Sequence, residues 1–390
     1  FYINMIGGKL IAEGGYGCVF HPAFNEVGEE LNEKKYATKI QVENESSTNE
    51  IKIGEIISKI DGYINHFSPI IQVDKLNIKK FNFNKYKSCS ILKSETKKNK
   101  FILMKLDYIK GEPFIEYIIK QRNNTELIHN LIHSYNHLLS GINILIKNKV
   151  VHFDLKGDNI LYDDFRKIPI LIDFGLSIPF SFSETILSTD ENFLNKYFYI
   201  YAPEYYIWPI EIHYLCYILN EKEECNDETL QSIIDEYILH NPAFLNFSKS
   251  FIKKYKEMSF QQLKYYNRFQ SNERIFKIIK HWKTWDNYSL SIIYLKFLRY
   301  LNISGYENNN FTIYFSQLLL RNISPNPEYR MNIEDTKYEF NKFLFDKKIN
   351  NIVSFKKVAK SFAKNRKYFD KALVLYKKKH QTLNKKIQKI

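Results

Sequence analysis

Cysteine is scarce in this chain of 390 residues: Cys18, Cys89, Cys216 and Cys225 are the only four, and none stands at metal-ligand spacing from another. That argues against zinc-knuckle chemistry and leads us to expect four unpaired thiols in a reducing compartment. Long apolar runs are missing too. No stretch of about 18 apolar residues is free of charge, so no membrane-spanning helix is expected. The chain opens at Phe1 with neither a Met nor a basic-then-apolar signal segment, which leaves a trimmed start open. Acidic residues are outnumbered, 43 Asp and Glu against 57 Lys and Arg, for a net charge of +14. The excess is local, in Lys85–Lys100 and Lys347–Lys389. Neither run is interleaved with the aromatics of a nucleic-acid-reading module, so no specific nucleic acid is expected as a partner. Attraction to acidic protein substrates or surfaces is the broader consequence. The wealth of Asn, Ile, Lys, Tyr and Phe is what an A/T-rich genome would give, and it warns against reading each aromatic as a binding residue.

What is present is concentrated in one stretch. His152-Phe153-Asp154-Leu155-Lys156-Gly157-Asp158-Asn159 is followed, fourteen residues past Asn159, by Asp173-Phe174-Gly175. Asp154 can orient a hydroxyl nucleophile and take its proton, and Lys156 can neutralise charge on a moving phosphoryl group. Asn159 and Asp173 can offer oxygens to Mg²⁺. Apolar runs precede each acid: Val150 and Val151 before Asp154, and Ile170, Leu171 and Ile172 before Asp173. The pattern resembles the catalytic loop and metal-binding segment of the eukaryotic-type protein kinases.

That resemblance implies an α+β, bilobal fold, with a small β-rich N-lobe carrying one main helix and a larger helical C-lobe. It implies ATP and Mg²⁺ as cofactors and proteins as substrates. Ile11-Ala12-Glu13-Gly14-Gly15-Tyr16-Gly17-Cys18-Val19 is similar to the nucleotide-covering hairpin, with Ala12 where the family normally has its first glycine. Gly14 and Gly17 would let backbone approach the phosphates, with Tyr16 at the tip. Lys39, in the strand-like Tyr36-Ala37-Thr38-Lys39-Ile40, would reach the α/β-phosphates. A helix over Asn49–Ile60 follows from Ile53, Ile56, Ile57 and Ile60 on one side. Its Glu50 or its Glu55 would pair with Lys39, and the Ile-x-Ile pattern after Glu50 favours Glu50. Leu103–Gly111 resembles the crossing between lobes, with Leu106 as gatekeeper and Asp107, Tyr108 and Ile109 offering backbone to adenine. The resemblance therefore assigns nucleotide contact to Ala12, Gly14, Gly15, Tyr16, Gly17, Val19, Ala37, Lys39, Leu106, Asp107, Ile109, Asn159 and Asp173.

We expect an ATP-binding lobe over 1–106 and a helical catalytic lobe over 107–390. Strands are expected near 4–12, 17–21, 36–41, 70–76, 87–93 and 101–107, and helices over 112–119 and 125–147. Tyr201-Ala202-Pro203-Glu204 resembles the motif that ends an activation segment, and Glu204 is expected to pair with Arg330. The family's helix with a buried Asp is matched by Thr284–Ser291, where Asp286 is the acid, Tyr288 replaces a Trp and Ser291 a Gly. Residues 205–283 then read as an insertion and a candidate docking surface, and 344–390 as a basic helical extension. Phe153 stands where regulated kinases carry an arginine that receives an activation-segment phosphate. Ser181, Ser183, Thr185, Ser188 and Thr189 thus lack that receiver. Lys156 resembles the serine/threonine branch, while Tyr197 stands near where such enzymes offer a Thr to the catalytic Asp and Lys. The abbreviated Gly-Gly-Tyr-Gly loop, His-Phe-Asp and Asp-Asn-Tyr-Ser-Leu are similar to divergent kinases of large DNA viruses that infect protists. Host cytoplasm or virion is the location this implies, or the cytoplasm if the source is not viral. Two other functions remain open, a pseudokinase or ATP-binding scaffold and an aminoglycoside- or choline-type kinase.

Overall fold

β-Branched and aromatic residues at Tyr36–Val42 build the middle of an antiparallel sheet, because such side chains fill a half-buried pleat well. The computed structural model describes residues 8–14, 17–31, 33–94, 100–120, 124–221, 225–302 and 310–345. Gly15, Tyr16 and most of the basic extension, 346–390, lie outside the described residues. The strands are β1 (Lys9–Glu13), β2 (Gly17–His21), β3 (Tyr36–Val42), β4 (Phe67–Ser68), β5 (Ile70–Lys75), β6 (Phe101–Asp107), β7 (Gly111–Pro113), β8 (Val150–Val151), β9 (Ile160–Asp163), β10 (Ile168–Ile172) and β11 (Ile178–Pro179). The described residues divide into two compact units: one runs up to Pro113 and takes in Asn159–Ser177, and the other holds Phe114–Asp158 and the described residues from Ile178. The fold is α+β and kinase-like, with an N-terminal β-rich region and a larger helical one.

In the first unit a five-stranded sheet runs in the order β1-β2-β3-β6-β5, and a four-stranded sheet in the order β4-β10-β9-β7. Successive residues of a strand point to opposite faces, so this register sorts the first sheet. Cys18, Phe20, Ile40 and Leu103 enter one buried cluster with Phe24, Phe81, Tyr86, Cys89 and Phe101. Within it Cys18 and Cys89 are joined by a disulfide across 71 residues. This corrects the expectation of unpaired thiols and removes the ground for the reducing-compartment reading. Packing of the segment around Cys89 against the sheet brings the two Cα atoms to 6.0 Å, a proximity that spacing along the chain does not reveal. The strand expected at 87–93 is also absent. Tyr86, Cys89 and Leu92 are the buried residues there, three apart, and the segment forms a 3₁₀ turn at Phe83–Tyr86 and a short helix, α2 (Ile91–Ser94).

One helix belongs to the first unit's centre, α1 (Glu45–Ile57). It starts earlier than its apolar spacing predicts because Asn44 caps it. The Asn44 side chain accepts from the Ser47 amide, and the Ser47 hydroxyl returns the contact to the Asn44 amide. Gly54 lets α1 approach β5: a β-carbon there would meet the Ile70 carbonyl oxygen at 2.5 Å.

The second unit is helical: α3 (Phe114–Lys120), α4 (Asn124–Lys147), α5 (Glu184–Leu187), α6 (Glu191–Tyr197), α7 (Ile210–Asn220), α8 (Asp227–His240), α9 (Lys249–Asn267), α10 (Ser271–Ile279), α11 (Trp285–Asn302), α12 (Asn310–Asn322) and α13 (Ile333–Phe345). Tyr135 of α4 is the hub of its core, with ring centroids of Tyr294, Phe315 and Phe340 at 4.8, 4.9 and 4.8 Å. No helix among the described residues is long and apolar enough to cross a membrane.

The buried ion pair of this unit differs from the expected one. Arg330 binds Glu211, not Glu204: its two terminal nitrogens donate to the two carboxylate oxygens at 2.6 and 2.8 Å, and its Nε donates to the Ser324 carbonyl at 2.8 Å. Both side chains are fully buried. Pro209 stands at the N-terminal boundary of α7, which sets Glu211 in its first turn, seven residues beyond Glu204. Removing one partner strands the other charge. Glu211→Gln should therefore cost about 3–5 kcal/mol in denaturant unfolding. The double variant Glu211→Leu/Arg330→Met should recover most of that loss, and an additive double loss would contradict the pairing.

Candidate active site

Register places six of the thirteen expected nucleotide residues on one face of the first sheet. Ala12 pairs with Val19, Val19 with Lys39, and Lys39 with Met104 in a row across four strands. Gly17, Ala37 and Leu106 lie two residues along those strands and share the face, with Ala37 opposite Leu106. Gly14 closes the hairpin by donating its amide to the Gly17 carbonyl at 2.9 Å. Gly17 is required for packing as well, since a β-carbon would overlap the Ile40 carbonyl oxygen. At the end of β6 the Asp107 carbonyl accepts from the Ser68 hydroxyl at 2.9 Å, the Tyr108 amide donates to the Lys35 carbonyl, and Ile109 is buried.

Lys39 is the charged centre of that face. Its Nζ lies 2.9 and 2.7 Å from the two oxygens of Glu50 and 3.4 Å from Asp173 Oδ1. Burial disfavours the ammonium, but Asp173 and Glu50 outweigh burial and hold Lys39 above the ordinary lysine range. The cap at Asn44 sets the turn of α1 that turns Glu50 inward, whereas Glu55 is exposed. Of the two candidate partners, Glu50 is the one in contact.

Asn159 and Asp173 are brought together by the β9–β10 hairpin. Ile160 pairs with Leu171, so Asn159 just before β9 and Asp173 just after β10 occupy the same end. Asp173 holds a left-handed backbone, φ 63°, which a non-glycine residue adopts only when its surroundings compel it. Its carboxylate is about half exposed, 45% on the side chain, and so remains able to take a ligand. A carboxylate and a carboxamide oxygen make a donor set suited to a hard cation such as Mg²⁺. Asn49 of α1, which sequence reading passed over, donates to the Gly175 and Ser177 carbonyls at 3.1 and 2.8 Å and fixes the segment after Asp173. The Phe174 ring packs edge-on to Phe67.

In the second unit, β8 pairs with β11 and leads into the loop that bears Asp154 and Lys156. Both are buried, and Lys156 Nζ lies 3.0 Å from Asp154 Oδ2. The loop backbone is held from α11. Asp286 accepts the His152 amide at 2.7 Å and the Phe153 amide at 3.0 Å, one on each carboxylate oxygen. Burial raises the Asp286 carboxyl, with His152 and the two amides opposing it. His152 thus serves loop shape through its backbone. The ring beside Lys156 is that of Tyr205, with the ammonium 5.8 Å from its centroid. Tyr197, expected near that place, ends α6 with its ring against Phe193. Residues 205–211, read from sequence as the start of an insertion, form the turn and helix start that carry Tyr205, Trp208 and Glu211. The remaining stretch to 283 forms the bulk of α7 and the helices α8, α9 and α10.

Residues 7–206 match the family described as Protein kinase domain, and the chain belongs to that family. Two curated relatives fit the same conclusion. The chain is 30% identical over 177 residues to a mitogen-activated protein kinase kinase kinase A of Dictyostelium discoideum, covering 45% of this chain and 16% of that protein. It is 39% identical over 89 residues to a calcium-dependent protein kinase 4 of Plasmodium falciparum, covering 22% of this chain and 16% of that protein. The matched segments thus span about one sixth of the length of these relatives.

Asp286 gives a direct test of the loop's support. Asp286→Asn keeps the shape but turns an NH₂ toward one of the two backbone donors. The variant should lose about 2–3 kcal/mol of unfolding free energy, measured in denaturant. It should also speed amide exchange over residues 152–154, read by mass spectrometry. Wild-type stability and wild-type exchange together would show that the two hydrogen bonds do not matter.

Proposed function

We propose that this chain is an ATP- and Mg²⁺-dependent protein kinase that transfers a phosphoryl group to Ser or Thr hydroxyls of protein substrates. The observation that carries the reading is the buried Asp154–Lys156 contact at 3.0 Å, on a loop whose backbone is fixed from α11. Asp154 orients the substrate hydroxyl and accepts its proton as the oxygen attacks phosphorus. Lys156 sets a positive charge against the transferred group and restrains Asp154. Lys39, kept cationic by Glu50 and Asp173, neutralises nucleotide phosphate charge. Asn159 and Asp173 would hold Mg²⁺, which would screen the charge of the phosphates. Gly14 and Gly17 would lie toward the nucleotide phosphates, and the backbone of Asp107 and Ile109 would offer hydrogen bonds to adenine.

The division into a nucleotide-binding lobe over 1–106 and a catalytic lobe over 107–390 belongs to this proposal. So does a docking role for the helices within 205–283, and, separately, a preference for acidic protein substrates in line with the net charge of +14. The similarity of the Gly-Gly-Tyr-Gly, His-Phe-Asp and Asp-Asn-Tyr-Ser-Leu segments to viral kinases supports a viral source, with the host cytoplasm or virion as location. The presence of all four of Lys39, Asp154, Asn159 and Asp173 favours an active enzyme over a pseudokinase. Lys156 favours a protein substrate over a small alcohol.

Asp154→Asn should reduce transfer to a generic protein substrate by about 100-fold or more while ATP still binds. Asp173→Ala should weaken Mg-ATP binding as well, read by nucleotide titration. Undiminished transfer by Asp154→Asn would sink the assignment. In the wild-type reaction, phosphoamino-acid analysis should find mainly phosphoserine and phosphothreonine, and predominant phosphotyrosine would overturn the specificity.

Phe153 offers no charge to a phosphate, so activity should not require prior phosphorylation. Phosphatase-treated enzyme should keep most of its rate. A loss of about ten-fold, restored by phosphorylation within Ser181–Thr189, would show that another cation takes the arginine's place.

A further inference from the structure

Asp154 lies between two residues, Phe153 and Lys156, that are both met by one short turn at the end of the activation segment. The turn is Ala202–Trp208, closed by the Tyr205 amide on the Ala202 carbonyl at 2.9 Å and the Trp208 amide on the Tyr205 carbonyl at 3.1 Å. It is fastened to α11, since the buried Ser289 hydroxyl donates to the Ile207 carbonyl at 2.7 Å. Trp208 reaches Phe153 in two ways. Its indole N–H donates to the Phe153 carbonyl at 2.7 Å, and its ring stacks on the Phe153 ring at 4.7 Å and 24°. Tyr205 stands edge-on to Trp208 at 4.7 Å and presents its ring to Lys156. The Tyr205 hydroxyl oxygen is buried with no hydrogen-bond partner among the described residues, so the ring is what the arrangement uses.

Phe153 needs such support. Its φ is 62°, a left-handed backbone that a phenylalanine does not adopt unaided. Its amide is held by Asp286, its carbonyl by Trp208, and its ring by Trp208, Phe198 and Trp285. Of these, the indole hydrogen bond acts on the peptide unit that joins Phe153 to Asp154. Rotation of that peptide would carry the Asp154 carboxylate with it.

We propose that Trp208 is a positioning residue of the reaction: its indole N–H fixes the Phe153–Asp154 peptide, and with Tyr205 it clamps the catalytic loop on both sides of Asp154. This rests on Asp154 being the residue that receives the substrate hydroxyl. The clamp is uncharged and built from the chain itself, so the loop is held by the arrival of the 202–208 turn rather than by any added group.

The test uses the full chain and Trp208→Phe, which keeps a stacking ring and removes the donor. Three quantities are read: kcat with the KM for ATP, the melting temperature, and amide exchange of residues 152–156 by mass spectrometry. We expect kcat to fall by about ten-fold, as for one lost positioning hydrogen bond. The KM for ATP should stay within about two-fold, because Lys39, Glu50 and Asp173 are untouched. Exchange over 152–156 should accelerate even at temperatures well below melting. Trp208→Leu, which also removes the stack, should extend both effects. Wild-type kcat together with wild-type exchange in Trp208→Phe would overturn the proposal. So would a kcat loss that vanishes when the assay is run far below the variant's melting temperature, since Trp208 would then be a packing residue only. The exchange measurement reads the loop whether or not phosphoryl transfer is detected. A wild-type chain without transfer but with a Trp208-dependent loop would thus defeat the kinase reading alone.

Discussion

Two adjacent backbone amides, those of His152 and Phe153, end on the two oxygens of a single buried carboxylate, Asp286. A buried acid is costly unless its oxygens are occupied, and two free amides in an apolar core are costly in the same way. Each deficiency removes the other, and the outcome is directional. The loop before Asp154 can take only the path that presents both N–H groups to α11. From that constraint follow the left-handed Phe153, the aromatic cluster around it and the burial of the Asp154–Lys156 contact. Ser289, one turn beyond Asp286 on α11, holds the Ala202–Trp208 turn, so one helix supports the loop directly and through its partner.

The same economy governs the other buried charges. Arg330 and Glu211 satisfy each other through paired hydrogen bonds, and the Ser324 carbonyl takes a further donor. Lys39 has two oxygens of Glu50 and one of Asp173. Such pairs add little net stability compared with apolar residues of equal size, because desolvation offsets most of the attraction. Their value here lies in exclusion. Any packing that separates the partners leaves a bare charge in the core, which leaves few arrangements open to α1 against its sheet and to α7 against the Arg330 turn.

Much of the candidate site was legible along the chain. Asp154, Lys156, Asn159 and Asp173 are chemically distinctive and fall within 20 residues of one another, and the apolar runs beside them mark the strands that hold them. Lys39 followed from a strand of the right character, and Glu50 from the helix after it. The misread pairings had a common origin. The Cys18–Cys89 bridge joins residues 71 apart, and Glu211–Arg330 joins residues 119 apart. Glu204 has the local likeness to a motif, whereas the ion pair is decided by where α7 begins after Pro209. Tyr205 and Trp208 carried no signal at all, being two aromatics among 29 Tyr and 3 Trp.

The sequence by itself determined the family, the α+β class and the candidate site residues. These depend on local chemistry: period, capping, and the acid, amide and ammonium groups that a given reaction requires. Tertiary structure alone decided the partners. Which glutamate meets Arg330, which cysteines bond, which ring covers Lys156 and which carboxylate gathers the His152 and Phe153 amides are questions of distance between remote segments. Many residues of the right type are present for each, and only packing brings one of them within hydrogen-bonding reach.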